Sequence, residues 1–281
     1  MRGGGFQRSA GDVAAEIEML RLNWPGAFLV VEGVSDSRFW RARKHHTCDL
    51  VIATGRAQVL GALMIASGRQ VDGVLGLVDD DFDTLTGAPH AVPNVVSTDP
   101  RDLEGILMRS AALEKTLAEL GDAARLEAFL AREGGTVRDA LLIRADIFSR
   151  IRWLNYLQPT RVNLDPLRPG RFCNHATWTY DLPAIKFEAV RLGVATNAAA
   201  LDQMLAALPA APAWHIVRGH DLVAVLAGGL HSVLGTSRPG ISVVEMTLRA
   251  SLEQIELCGT SVWAAIKAWE ATNQPYVILR Q

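Results

Sequence analysis

Acidic residues stand directly after two apolar runs of the sequence. Glu32 follows the run AFLVV, and the string DDDFD, which contains Asp79 and Asp81, follows the run VLGLV. Continuous apolar runs of this length are typical of strands buried on both faces of a parallel sheet, and ligands bind beyond the carboxyl ends of such strands. Carboxylates that converge there repel one another unless a cation lies among them. The pattern therefore predicts a Mg²⁺ or Mn²⁺ site that could activate water and stabilise charge on a phosphoryl group.

The elements that would position these residues alternate between strand and helix in the first part of the chain. Predicted strands are Ala27–Val31, Leu50–Ala53, Val74–Val78 and Asn94–Val96. Predicted helices are Val13–Leu22, a helix capped by Ser35 or Asp36 that reaches Lys44, Ala57–Ser67, and a helix from Asp102 toward Leu120. Such alternation indicates βαβ units with right-handed crossovers. We therefore predict an α/β module with a Rossmann-like parallel sheet over residues 1–121.

The rest of the chain has helical periodicity. Predicted helices are Ala123–Arg132, Val137–Leu157, Leu182–Leu192, Ala198–Leu208, His220–Leu234, Val243–Leu257 and Ser261–Ala271, with a possible strand at Trp214–Val217. We therefore predict a mostly α-helical C-terminal domain over residues 122–281, which would cap the α/β module and mediate assembly. Its apolar helices are compatible with a homodimer.

The composition is that of an ordinary globular protein. The 281 residues are 49% hydrophobic and 21% charged, and a formal net charge of −2 does not by itself indicate a nucleic-acid binder, although a local basic face is compatible with it. The three cysteines are too sparse for a disulfide framework, and no apolar stretch suits a signal core or a membrane span. These features predict a cytoplasmic protein with no membrane partner. The chain has no GxxxxGK[ST] string for a P-loop.

Two strings resemble the Toprim module, which topoisomerases, bacterial primases and the nucleases of the overcoming-lysogenisation-defect class share. VEGVSDSRFW begins at the end of the first predicted strand, and GLVDDDFD contains the end of the third. The glutamate and the DxD of the Toprim signature would therefore fall on Glu32 and on Asp79 with Asp81. Asp83 and the later string RDLEGIL resemble an anti-phage branch of these proteins. In that branch an acidic residue at the start of the next helix joins the metal site, and Glu104 is the matching residue.

The resemblance covers about Phe28–Leu107 and carries an expected function. It implies a metal-dependent nuclease that cuts DNA or structured RNA such as tRNA, as the toxic effector of an abortive-infection system. Its trigger would be a separately encoded ABC-type ATPase. The scattered cysteines do not suit the zinc ribbon of a primase, and no tyrosine lies in a context like that of a topoisomerase. The string HIVRGHDLVAVL resembles the C-terminal motif of the branch only loosely.

Histidine and arginine side chains supply further candidates. His220 lies where a helix is predicted to begin, so it could help to hold a phosphate and relay a proton. The alternative is that Asp221 caps this helix and His220 is a neighbour without a role. Basic residues that could contact a nucleic-acid backbone lie beside His220 and in the most basic stretch of the chain: Arg150, Arg152, Arg161 and Arg218.

Two other functions remain open on the sequence. The string from Asp81 to Leu85 fits DxDxTL, the nucleophile motif of haloacid-dehalogenase-type phosphatases, in which Asp81 would attack phosphorus and Asp83 would act as acid and base. Two aspartates separate Val78 from Asp81, however, whereas that motif needs the strand to run straight into the nucleophile. The other possibility is a non-catalytic Toprim-like sensor or scaffold subunit of an ATPase complex.

Overall fold

The computed structural model describes residues 8–280. The helices are α1 Ala10–Arg21, α2 Val34–Arg41, α3 Arg56–Gly68, α4 Asp83–Thr86, α5 Leu103–Arg109, α6 Ala112–Leu120, α7 Ala123–Glu133, α8 Val137–Leu157, α9 Leu182–Arg191, α10 Ala198–Ala206, α11 Ala213–Ile216, α12 Gly219–Leu230, α13 Ile241–Ser251, α14 Gln254–Cys258 and α15 Ser261–Thr272. The strands are β1 Ala27–Val31, β2 Cys48–Ile52, β3 Val74–Val78, β4 Val95–Ser97, β5 Cys173–Asn174 and β6 Thr179–Tyr180. No helix within the described residues is long and apolar enough to cross a membrane.

The chain divides into two compact units, and the division differs from the predicted boundary after residue 121. The first unit comprises the residues up to 83, residues 88–99 and the segment from Gln254 onward; the second comprises residues 84–87 and 100–253. Several contacts join the C-terminal segment to the rest of the first unit, and two of them show where it lies. Trp269 Nε1 donates a hydrogen bond to Asn94 Oδ1 at 3.0 Å, and Leu279 forms an isolated antiparallel bridge with Lys44. Although sequence order predicts them within the C-terminal domain, α14 and α15 belong to the first compact unit.

The first unit is α/β, with a four-stranded parallel sheet in the order β2-β1-β3-β4. The predicted parallel sheet is thus confirmed, and β1 and β3 have the predicted bounds. All residues of both strands are buried. Val13 and Ile17 of α1 and Val59 and Leu63 of α3 belong to the core that packs on the sheet. Gly76 lets α3 approach β3, because an added Cβ would lie 2.9 Å from Val59 Cγ1.

The second unit is built from helices and one short antiparallel ribbon, β5–β6. Its longest helix, α8, has the predicted bounds and begins with a capping box between Thr136 and Asp139. Phe148 and Ile151 of α8 lie in a core that also contains Ile185 of α9. The helical character predicted for this part of the chain is confirmed.

Three details of the second unit contradict the sequence predictions. The predicted strand at Trp214–Val217 is the short helix α11, which begins after Pro212. The helix expected from Asp102 to Leu120 is broken at Ser110, whose hydroxyl donates to the Leu107 carbonyl and accepts from the Ala112 N–H. Such side-chain bonds to the main chain compete with helical ones. The helix expected over Val243–Leu257 also breaks, because residue 252 is extended between α13 and α14.

Candidate functional site

Glu32 joins the carboxyl ends of β1 and β3. Val31 of β1 is paired with Leu77 of β3 in parallel register, so the chain leaves both strands at the same edge. Glu32 is the residue after β1, and its Oε1 accepts a hydrogen bond at 2.8 Å from the main-chain N–H of Asp79, the residue after β3. The structure therefore brings together the two acidic strand ends that the sequence indicates.

The neighbouring strand contributes Thr98 to this edge. The Thr98 N–H donates to the Val78 carbonyl at 2.9 Å, which extends the pairing of β3 with β4. The Thr98 hydroxyl donates to Asp79 Oδ1 at 3.4 Å and accepts from the Asp80 N–H at 3.4 Å. Thr98 is buried, so it orients the Asp79 carboxylate from inside the protein. The sequence prediction missed this residue, although its position just beyond a predicted strand end was a usable signal.

A positive side chain, Arg56, lies at the same edge. Arg56 Nη1 donates to the main-chain carbonyls of Asp79 and Asp80, at 2.9 and 3.2 Å. The same nitrogen lies 3.4 Å from Asp81 Oδ2, and Nη2 donates to Asp83 Oδ2. A single guanidinium thus holds the whole acidic string through main-chain and side-chain oxygens. The sequence prediction missed Arg56 as well; the signal was a basic residue shortly after the end of the second predicted strand.

Gly55 fixes the start of the helix that carries Arg56. Its φ of +134° lies in a region that L residues rarely adopt. The Gly55 N–H donates to the main-chain carbonyl of Glu32 at 2.9 Å. The loop after β2 is therefore tied to the residue after β1, and this tie places Arg56 beside the acidic string.

The acidic string turns sharply at Asp81. Its φ of +52° is left-handed, a conformation that aspartate tolerates better than most residues. The alternation of side chains along a strand therefore cannot be used to place Asp79 and Asp81 relative to each other. The Asp81 side chain is 50% exposed, whereas that of Asp83 is 11% exposed. Asp81 thus meets solvent beside Arg56, and Asp83 is a largely buried partner of the guanidinium.

The electrostatics of this edge are concentrated on Glu32. Burial raises the pKa of Glu32 from 4.5 to about 7; the carboxylates of Asp81 and Asp36 add to the rise, while the hydrogen bond from the Asp79 N–H and the charge of Arg56 oppose it. Asp36 itself accepts from the Gly33 N–H at 2.9 Å. The N-cap of α2 is Gly33 and Asp36 is the third residue of the helix, so the predicted cap at Ser35 or Asp36 is wrong. Near neutral pH, Glu32 is therefore poised between a proton and any cation that replaces it.

Within residues 8–280, Glu32, Asp79 and Asp81 do not form a set of three ligands that all lie within 4.8 Å of one another, so this edge offers a divalent cation one or two carboxylates rather than three gathered ones. Mg²⁺ is commonly bound through one or two carboxylates, keeps several water molecules and bridges to substrate phosphates. Glu32 and Asp79 supply such carboxylates from adjacent strand ends, and the desolvated Glu32 would gain from a neighbouring positive charge. Asp81 is accessible for a further contact. Asp83, another predicted ligand, pairs with Arg56 through its Oδ2.

Two further residues of the predicted metal and catalytic site, Glu104 and His220, lie together in the second unit. Within residues 8–280, the carboxylate oxygens and imidazole nitrogen of Glu104, His220 and Glu245 all lie within 4.8 Å of one another. His220 Nδ1 is 3.2 Å from Glu245 Oε1. Glu104 is 4% exposed, whereas His220 is accessible to solvent. Glu245 lies in a helix predicted from its apolar periodicity, and no sequence signal marks it as a partner.

Asp102 joins the first turns of α5 and α12, the helices that carry Glu104 and His220. Asp102 Oδ1 accepts from the Gly105 N–H at 2.8 Å, and its Oδ2 accepts from the Gly219 N–H at 2.7 Å. A Cβ added to Gly219 would lie 2.3 Å from Asp102 Oδ1 and 2.4 Å from Glu104 Cβ. Glycine is thus needed at this position so that the two helix starts can approach.

The four arginines predicted to contact a nucleic acid lie in different surroundings. Arg152 forms a buried two-point ion pair with Asp221, so its guanidinium is committed to the interior. Arg150 donates to the Leu205 carbonyl, and Arg161 lies over the Tyr156 ring with its Cζ 3.8 Å from the ring centroid. Arg218 is the residue that precedes α12, and its carbonyl accepts from the Asp221 N–H. Of the four, Arg152 is therefore unavailable to a nucleic-acid backbone. 

No protein-family model matches the chain, and a search of curated proteins finds no match to it. What the fold and the site define is an α/β protein with two acidic strand ends joined at one edge of a parallel sheet. Membership of the Toprim group stays a prediction that rests on the strings around Glu32 and Asp79.

Proposed function

We propose that this protein is a Mg²⁺- or Mn²⁺-dependent nuclease of the Toprim type, which hydrolyses phosphodiesters in DNA or structured RNA such as tRNA. The hydrogen bond from the Asp79 N–H to Glu32 Oε1 is the observation that carries the proposal. It holds the acidic ends of two adjacent parallel strands together, and Arg56 lies beside them. Carboxylates next to a fixed guanidinium suit a substrate that is itself anionic and that arrives with a cation.

Each residue of the edge has a distinct part in this proposal. Glu32 and Asp79 would hold the divalent cation, and Thr98 keeps the Asp79 carboxylate oriented. A cation bound there supplies an activated water and offsets the negative charge that develops on the phosphoryl group. Arg56 keeps the acidic string folded back on the strand ends. Asp81, which is half exposed, is the residue of the string best placed to meet substrate or solvent.

The biological role follows from the sequence resemblance and is part of the proposal. The nuclease would be the toxic effector of an anti-phage system, and a separately encoded ABC-type ATPase would trigger it. An effector of this kind is silent until it is triggered, so cleavage by the isolated chain and binding of the cation have to be measured separately.

The test compares Asp79→Asn and Glu32→Gln with a matched control, Asp72→Asn. Asp72 is an exposed aspartate just before β3, at the opposite end of the strand from Asp79. We expect Mn²⁺ to raise the melting temperature of the wild type and of the control. Saturation at about 100 times the dissociation constant would add about 2.7 kcal/mol. In the melting experiment all proteins also carry His220→Gln and Glu245→Gln, so that the Glu104 group does not bind the ion, and neither site variant should then respond. Cleavage of plasmid DNA or tRNA should fall in both by more than the roughly 10–100-fold typical of outer-shell partners.

A companion experiment expresses the same variants in bacteria with and without an ABC-type ATPase partner. Growth arrest with cleaved nucleic acid, lost in Glu32→Gln and Asp79→Asn but kept in Asp72→Asn, would support the nuclease and identify its substrate. Loss of activity with Asp81→Asn but not with Glu32→Gln would favour the phosphatase. A wild type that neither binds Mn²⁺ nor differs from its variants would favour the non-catalytic scaffold subunit over the nuclease.

A further inference from the structure

Arg56 already occupies one side of the acidic edge with a positive charge. Its guanidinium contacts the carboxylates of Asp81 and Asp83, and the Arg56 side chain is 18% exposed. The same group donates to the main-chain carbonyls of Asp79 and Asp80. Its position is therefore fixed from several directions by a stretch of only a few residues. Guanidinium groups are suited to such sites because several N–H donors lie in one rigid plane.

This placement bears on how many metal ions the edge can bind. In a two-ion site, ions about 3.5–4 Å apart share the surrounding carboxylates. Here Asp83 is largely buried against Arg56, and Asp81 has the same guanidinium beside it. A second cation would need oxygen atoms that Arg56 contacts and would face its full positive charge at close range. Glu32 and Asp79, in contrast, meet through a main-chain hydrogen bond at the strand ends.

We infer that Arg56 takes the place of a second metal ion, so that the edge binds one divalent cation, held by Glu32 and Asp79. The inference rests on the proposed function, because it concerns the metal site of that same nuclease. Asp83 is then a positioning residue that holds the guanidinium rather than a metal ligand. The fixed positive charge of Arg56 serves the anionic substrate on the side where a second ion would otherwise lie.

The experiment counts bound Mn²⁺ per chain by electron paramagnetic resonance of the free ion during titration of the full-length protein. All proteins carry His220→Gln and Glu245→Gln, so that the Glu104 group of the second unit does not add to the count. In this background we expect one ion bound to the edge and none in Asp79→Asn. Arg56→Gln should bind two ions, because it removes the positive charge beside Asp81 and Asp83. Arg56→Lys, which keeps the charge, should stay at one.

The matched control is Arg69→Gln, at the residue that follows the helix begun by Arg56. Arg69 pairs with Glu18 at 2.6 Å and is 57% exposed, so its loss should leave one bound ion. Two ions in the protein with Arg56 intact would overturn the inference while leaving the proposed function standing, and this count needs no variant of Arg56 that could misfold. One ion or none in a folded Arg56→Gln would also overturn it. No ion in any protein would remove the proposed function and the inference together.

Discussion

Glu32 and Asp102 both accept hydrogen bonds from the main chain of a distant segment, but they differ in how well the surroundings offset their negative charge. Asp102 accepts two N–H groups, one at the start of α5 and one at the start of α12, where the helix dipoles also favour a negative charge. Among the described residues, Glu32 accepts a single hydrogen bond, from the Asp79 N–H at the end of a strand. Burial, together with the nearby carboxylates of Asp81 and Asp36, raises its pKa to about 7.

The difference separates a structural carboxylate from one that is available for chemistry. The negative charge of Asp102 is matched by main-chain donors of its own unit, and Asp221 is matched by Arg152 in the same way. Glu32 is left short of positive charge, which is the condition in which a group binds a proton or a metal ion. Three substitutions test this contrast, and their expected effects decrease in the order Asp221→Ala, Glu32→Gln, Asp102→Asn.

Asp221→Ala would break the charge balance of the second unit most severely. It leaves the buried guanidinium of Arg152 without its two-point partner, which destabilises a protein by about 3–5 kcal/mol. Chemical denaturation measures the loss. The control is Asp202→Ala, which removes an exposed partner of Lys186 and should lower the free energy of unfolding by less than about 1 kcal/mol. Equal losses of unfolding free energy in the two variants would show that the buried ion pair stabilises the fold no more than the exposed one does.

Glu32→Gln should stabilise the protein at alkaline pH. Because the folded-state pKa is raised, the native state binds more protons than the unfolded state between pH 4.5 and about 7, and wild-type stability falls across this window as pH rises. The slope is at most about 1.4 kcal/mol per pH unit. The glutamine keeps an acceptor for the Asp79 N–H and does not ionise. We expect it to be more stable than the wild type by about 2–3 kcal/mol at pH 8, with no difference at pH 4.

Denaturation curves at both pH values measure this effect, and Glu127→Gln on the exposed surface of α7 is the control. The control should follow the wild type at both pH values. A Glu32→Gln variant that is less stable than the wild type at pH 8 would show that the charge of Glu32 is fully compensated in the fold, like that of Asp102.

Asp102→Asn should have the smallest effect of the three, and it should destabilise the protein, as Asp221→Ala does and Glu32→Gln does not. An amide has one acceptor oxygen, so either the Gly105 or the Gly219 N–H loses its partner, and the unfolding free energy falls by about 1–2 kcal/mol. The control is Asp122→Asn, which changes a cap with one such bond, to the Arg125 N–H. Asparagine caps a helix nearly as well as aspartate, so this loss should stay within a few tenths of a kcal/mol. If both variants lose equally, the double cap does not join the two helices.

The sequence alone determined the sheet and half of its acidic edge. Continuous apolar runs can be recognised because a parallel strand is buried on both faces, and β1 and β3 accordingly begin and end as predicted. The residue after such a strand must emerge at the carboxyl edge, so Glu32 and Asp79 could be paired before any coordinates were known. The bounds of the long helix α8 could likewise be predicted from the helical spacing of its apolar residues and from its capping residues.

The tertiary structure decided what compensates those charges. Arg56 and Thr98 reach the edge through the crossing of α3 and the pairing of β4, and Glu245 meets His220 through the packing of α13. The position of α15 beside the sheet depends on a contact between residues far apart in sequence, Trp269 and Asn94. The left-handed turn at Asp81 is a local conformation that several residue types tolerate, so the sequence does not mark it. Periodicity reports which face of an element is buried, whereas the partner that a charge finds depends on how the elements are packed together.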